Sequence, residues 1–129
     1  METREKVPTV IIDNGSHRLR AGYPGEEGPR VDIPSVVGQP RNKGVAMAAG
    51  LREFDVGFSA QENRGLLSTN QPVNGGHVQD WNDIEKLWSQ VVYKELRITP
   101  ENYCFVITQP ANTGSEQKEK TLELLMETI

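Results

Sequence analysis

The sequence predicts an α/β fold in which a mixed sheet opens with an antiparallel hairpin, two helices pack on the sheet, and a loosely ordered lobe is inserted between the opening strands and the first helix. Three features carry this prediction. A short β-branched run, residues 7–12, leads directly into Asp13-Asn14-Gly15-Ser16 and an alternating segment. Residues 80–92 repeat apolar side chains at helical spacing. Between these lies residues 38–76, where Gly38, Gly44, Gly50, Gly57, Gly65, Gly75 and Gly76 interrupt every short apolar run.

Residues 7–12 are too continuously apolar for a half-exposed strand, so they predict a buried central one. The turn-forming residues that follow, and the alternation of Leu19, Ala21 and Tyr23 with Arg18, Arg20 and Gly22, predict a β-hairpin. A second turn at residues 24–29 leads to a strand over residues 30–37, where Pro34 predicts an edge or a bulge. Three antiparallel strands are expected to open the chain. No long periodic element fits residues 38–76, a composition that suits a small lobe of low local stability with residues 40–50 as its exposed loop.

Asp80 then predicts a helix N-terminus. It is the N-cap, Asp83 lies in the first turn, and Trp81, Ile84, Leu87, Trp88, Val91 and Val92 form one apolar face. The two tryptophans read as core packing. Thr99-Pro100 disfavours continuation beyond Arg97, and residues 104–108 predict another buried strand, so that strand, helix and strand suggest a crossover. Thr113-Gly114-Ser115-Glu116 resembles a capping box opening a last helix with Leu122, Leu125, Met126 and Ile129 on its apolar face.

Composition narrows the function classes. The chain has 129 residues, enough for a single unit burying roughly two-thirds of its unfolded surface. With 25% charged residues and a formal net charge of −4, nothing draws it to nucleic acid or an anionic membrane. No segment approaches the roughly 18 apolar residues of a membrane span. The single cysteine, Cys104, lies in an apolar run and is expected to be a reduced core thiol, which fits a cytosolic or nuclear protein.

The candidate site is the bend at Asp13-Asn14-Gly15-Ser16. Where a buried strand hands over to a hairpin, backbone N–H groups and the Ser16 hydroxyl can converge on a concavity suited to phosphate. Asp13 would project its carboxylate toward a hard cation, and Arg20 on the next strand is a possible cationic clamp. Asn-Gly between two strands is equally the commonest structural hairpin signal, and on these four residues alone that simpler reading is favoured.

The bend does not stand alone. Asp13-Asn14-Gly15-Ser16, Arg20-Ala21-Gly22-Tyr23, Pro34-Ser35-Val36-Val37-Gly38, Pro40-Arg41, Arg64-Gly65-Leu66-Leu67, Asp80-Trp81-Asn82-Asp83 and Glu95-Leu96-Arg97 resemble actin and actin-related proteins, in order and at matching spacing. The resemblance implies the N-terminal third of the actin-like ATPase fold, which is ribonuclease H-like. Residues 1–37 and 77–129 would be the first half of the outer large subdomain. Residues 38–76 would be the small inserted subdomain, with residues 40–50 resembling the loop that docks on the next subunit of a filament. It also implies that Asp13, Gly15, Ser16, His17, Arg18 and Arg20 line the first phosphate loop, that Asp13 faces the metal, and that the family's cofactor is ATP with magnesium or calcium. The second phosphate loop and the residues that position water would lie beyond Ile129, so no catalysis is expected of this chain alone.

Certain positions depart from conventional actin. His17 stands where the family has glycine, Arg20 replaces the usual lysine, and Gly75 holds the place of the sensor histidine, with His77 two residues further on as a surface residue. Residues 18–27 and 29–32 resemble nuclear actin-related proteins of chromatin-remodelling complexes more than muscle-type actin. The partners implied are actin or actin-like subunits or a multi-protein complex, and the location cytoplasm, cytoskeleton or nucleus. The alternative is a stand-alone, non-enzymatic interaction module that mimics or caps an actin surface. A sugar-kinase-like or chaperone-like ATPase shares the two-loop outline, but the matches over residues 34–76 argue against it.

Overall fold

The computed structural model describes residues 7–42, 44, 48, 54–110 and 113–127. Its main sheet is built from β1 (Thr9–Asn14), β2 (Arg18–Gly22), β3 (Val31–Pro34) and β9 (Cys104–Ile107), in the order β3-β2-β1-β9. Strand β1 (Thr9–Asn14) is antiparallel to β2 (Arg18–Gly22), and β2 to β3 (Val31–Pro34). Pro34 closes the edge strand, as its missing N–H requires. The strand expected over residues 30–37 divides at Ser35 and Val36, and β4 (Val37–Pro40) begins a separate sheet.

That second sheet corrects the picture of a loosely ordered lobe. Strand β4 is central, flanked by β5 (Asp55–Val56) and β6 (Leu67–Asn70), both antiparallel to it. The short helix α1 (Phe58–Glu62) covers it, with Val36, Ala60 and Leu67 as a small core. Its tightness depends on Gly38, where a Cβ would lie 2.8 Å from Leu67 Cδ1. Most of residues 40–50, the expected docking loop, lies outside the described residues.

A two-stranded hairpin follows, β7 (Val73–Asn74) and β8 (His77–Val78), joined by Gly75 and Gly76 with φ of 59° and 81°. Two consecutive positive φ values are what a two-residue turn of this kind demands, and glycine meets them without strain. His77 is half-buried on β8.

Helix α2 (Trp81–Ser89) begins as expected, with Asp80 Oδ1 accepting the Asp83 N–H at 3.1 Å. Its apolar face seals the inner side of the main sheet. Val10, Ile12, Leu19, Ala21, Val31 and Ile33 meet Ile84, Leu87, Trp88 and Val91, and Trp88 is wholly buried. Each such aliphatic side chain contributes about 1.5–3 kcal/mol on burial. Residues Gln90–Glu95 widen into a π-helical segment, closed by Leu96 N–H donating to Val91 C=O at 2.8 Å, and the adjacent Val91 and Val92 are both buried. The helix ends where Arg97 turns left-handed with φ 55°, before the 3₁₀ turn Pro100–Asn102.

Strand β9 (Cys104–Ile107) pairs parallel to β1, completing a crossover from β1 that encloses the second sheet and α2. It is not the buried strand its apolar run suggests. As the edge beyond β1 it is covered on one side only, so Phe105 and Ile107 pack inward while Val106 is 50% exposed. Cys104 is therefore an exposed free thiol and not a core one.

The last helix, α3 (Ser115–Glu127), starts beyond the expected cap. The Thr113 hydroxyl donates to Pro110 C=O at 2.6 Å, and Gly114 C=O accepts the Lys118 N–H. The helix packs through Thr121, Leu124 and Leu125, whereas Leu122 and Met126 face solvent, and Ile129 lies outside the described residues. Among the described residues of the expected face, only Leu125 packs against the core. Among the described residues no helix is long and apolar enough to cross a membrane.

Candidate functional site

The bend between β1 and β2 is formed by Gly15, Ser16 and His17. Alternation along β1 sends Val10, Ile12 and Asn14 into the core and Asp13 outward, so the carboxylate stands on the exposed face at the strand's end. Thr108, immediately after β9, anchors it. The Thr108 hydroxyl donates to Asp13 Oδ1 at 3.1 Å and accepts the Asn14 N–H at 3.1 Å. This joins the first strand to the last across a separation of 95 residues.

Gly15 is required by proximity and not by its dihedrals. A Cβ there would lie 2.5 Å from the Arg18 carbonyl oxygen. The Gly15 N–H donates back to Asp13 C=O at 3.2 Å, which tightens the bend. Among the described residues, the N–H groups of Ser16 and His17 have no acceptor. His17 is exposed, and its carbonyl accepts the Ser35 N–H at 2.9 Å. Its φ is not positive, Arg97 being the only described non-glycine residue of that kind, so the imidazole sits in this loop without backbone strain. The Ser16 Oγ accepts the Gly76 N–H at 3.3 Å, which brings the Gly75–Gly76 turn against the bend.

Two buried polar atoms beside the bend have no partner, Asn14 Oδ1 and Ser35 Oγ. Both residues are more than nine-tenths buried. Orphaned buried groups of this kind are uncommon and point to a site completed by water or ligand.

Arg18 and Arg20 project from β2 on the same outer face as Asp13, because Asp13 and Arg20 are register partners. Both guanidiniums turn to Asp32 on β3, Arg18 Nε reaching Oδ1 at 2.7 Å and Arg20 Nε lying 3.6 Å from Oδ2. The hydrogen bond from Arg18, with the charge of Arg20 beside it, holds the Asp32 carboxyl below the usual carboxylate range.

All six residues singled out from sequence thus gather at one bend, although the arginines face Asp32 and not the free N–H groups. Thr108, Gly76 and Asp32 belong to the same constellation; Thr108 and Asp32 carry no local sequence signal, since their places follow from pairings between distant strands. The Asn74-Gly75-Gly76 run is a hairpin signal in its own right. The arrangement offers an oxyanion two free backbone donors, a serine hydroxyl and two neighbouring cations, with a carboxylate alongside. Among the described residues no group of three or more His, Cys, Asp or Glu side chains is placed to hold a metal ion by protein ligands alone.

A family model described as Actin matches residues 4–129.

Proposed function

Because this chain belongs to the actin family, we propose that its bend at Asp13–Arg20 is one half of a clamp for the phosphate tail of ATP. The observation that carries this is the pair of free N–H groups at Ser16 and His17, set beside the Ser16 hydroxyl over a bend that admits no Cβ at residue 15. Backbone donors in a tight bend recognise phosphate oxygens irrespective of side-chain identity. Gly15, Ser16 and His17 bind the phosphate, and Arg18 and Arg20 supply positive charge. Asp13, at the strand's end and oriented by Thr108, faces the magnesium or calcium that accompanies the nucleotide, directly or through water.

The affinity of one such bend is small. Two or three charge-assisted hydrogen bonds at roughly 1.5–3 kcal/mol each, once the entropy of association is subtracted, fall short of the about 8 kcal/mol net that micromolar binding requires. The chain alone therefore acts as a weak nucleotide-binding element without hydrolytic activity, and its biological role is that of an actin-like protein, cytoskeletal or chromatin-associated, working with actin-like subunits or in a larger complex.

Amide-resolved NMR with Mg-ATP tests the reading. Shifts confined to residues 13–18 and 76, saturating only in the millimolar range, are expected, together with no saturable heat at micromolar concentration in calorimetry. A titration that leaves Gly15, Ser16 and His17 unmoved at millimolar nucleotide sinks it.

A further inference from the structure

The cations of this bend are not free. Arg20 stands in register between two carboxylates, Asp13 on β1 and Asp32 on β3, and Arg18 lies one step along the same outer face. The closer carboxylate contact of both arginines is Asp32, at 2.7 Å from Arg18 and 3.6 Å from Arg20. The side chains remain about half exposed, 51% for Arg20 and 48% for Arg18, so an anion can reach them. Asp32 takes no part in the bend's own hydrogen bonding, which runs through Thr108, Gly76 and Ser35.

We propose that Asp32 is an affinity-setting residue, an internal anion that occupies Arg18 and Arg20 and with which any phosphate must compete. This rests on the phosphate-binding reading of the bend. An incoming oxyanion can draw the guanidiniums around the end of β2 only by breaking their bonds to Asp32. The net gain per arginine is the difference between two similar charge-assisted contacts instead of a whole one. Asp32 thereby favours ligands with several adjacent charged oxygens, which can engage both arginines and the free N–H groups at once, over single carboxylates or sulfates.

The test is an amide-detected titration of the chain with inorganic pyrophosphate, free of divalent cations, for the wild type, Asp32→Asn and Asp32→Glu. Asp32→Asn keeps the shape and removes the charge. It is expected to bind pyrophosphate about three- to tenfold tighter, the factor that two exposed ion pairs can withhold, with a steeper salt dependence. Asp32→Glu should restore weak binding. Glu26→Gln makes the same change in net charge at the far end of the hairpin, where Glu26 bonds Arg30, and is expected to leave the affinity within about twofold. The gain should disappear when Asp32→Asn is combined with Arg18→Ala and Arg20→Ala. Equal affinity in wild type and Asp32→Asn, with Gly15 and Ser16 shifting in both, overturns the role of Asp32 and leaves the phosphate bend standing. An equal gain from Glu26→Gln also overturns it, by reducing the effect to bulk charge. No shift at the bend in any variant overturns both.

Discussion

The junction between the two sheets turns on one carboxylate, and its removal has a calculable cost. Asp83 lies in the first turn of α2 and is only 6% exposed. Its Oδ2 accepts the side-chain N–H of Asn70, the last residue of β6 in the second sheet, at 2.8 Å, and its Oδ1 lies 3.5 Å from Lys86 Nζ. Lys86 in turn sits 5.2 Å above the Phe54 ring, at the entry to β5. One helical turn thus grips both outer strands of the second sheet. Asp83→Ala removes a hydrogen bond to a charged acceptor, about 1.5–3 kcal/mol, and a carboxylate at a helix N-terminus, about 0.3–1 kcal/mol. The truncation should cost about 2–4 kcal/mol. Urea unfolding followed by tryptophan fluorescence is a suitable assay, because Trp81 and Trp88 both lie on α2. A double-mutant cycle with Asn70→Ala isolates the bond, and a coupling of at least about 1 kcal/mol is expected. Coupling below about 0.5 kcal/mol, the range of independent sites, would refute the idea that this contact fastens one sheet to the other.

Gly15→Ala places a Cβ against the Arg18 carbonyl, so the bend must open; a loss of about 1–3 kcal/mol in urea and disappearance of the Ser16 shift with Mg-ATP are expected. Cys104, on the exposed face of β9, should react with iodoacetamide in the native protein at close to the rate of a free thiol, and Cys104→Ser should change stability by less than about 0.5 kcal/mol. The carboxyls of Asp32 and Glu26 are held below their ordinary values chiefly by hydrogen bonds from Arg18 and Arg30. A depressed folded value means that their contribution is complete above the unfolded values, 3.8 and 4.5, and is lost as pH falls below them, so Asp32→Asn should flatten the acid limb of the stability curve below pH 3.8.

Features with a local cause were legible in the sequence. The Asp80 cap depends on a residue three positions on, and the first hairpin on an alternation broken by Asn14-Gly15. Pro34 marks an edge because its nitrogen has no hydrogen wherever it lies. What the sequence withheld depends on pairing at long range. The apolar run of β9 signals a strand but not how many of its faces are covered, and that follows only from its place outside β1. The second sheet stayed hidden because its strands are short, two of them bracketing a glycine-rich stretch whose apolar residues are few. The apolar face of α3 was misjudged for a related reason: the helix uses Thr121 and Leu124, and no periodicity reveals that a buried Thr121 hydroxyl bonds Gln117 C=O within its own helix. Of the site, the bend and its arginines could be read directly, whereas Asp32 is informative only once β3 is known to lie in register with β2.

On the proposed phosphate-binding role of the bend, that register also decides which form of nucleotide it would hold. Asp13, Arg18, Arg20 and Asp32 share one face, and their two carboxylates and two guanidiniums cancel. A free polyanion therefore gains little from long-range attraction and must rely on the short-range donors of Ser16 and His17. A divalent cation held near Asp13 would change the balance by adding positive charge to this face, so that a polyanion carrying its own cation would be attracted where the free polyanion is not. Mg-ATP should accordingly shift the Ser16 and His17 amides at lower concentration than ATP in excess EDTA, by about tenfold if the cation recovers a single charge-assisted contact of about 1.4 kcal/mol. Asp13→Asn should abolish the difference between the two titrations, and by leaving the face one positive charge in excess it should tighten the metal-free one modestly. Equal affinity for the two forms in the wild-type chain would mean that the carboxylate of Asp13 serves only its bond to Thr108.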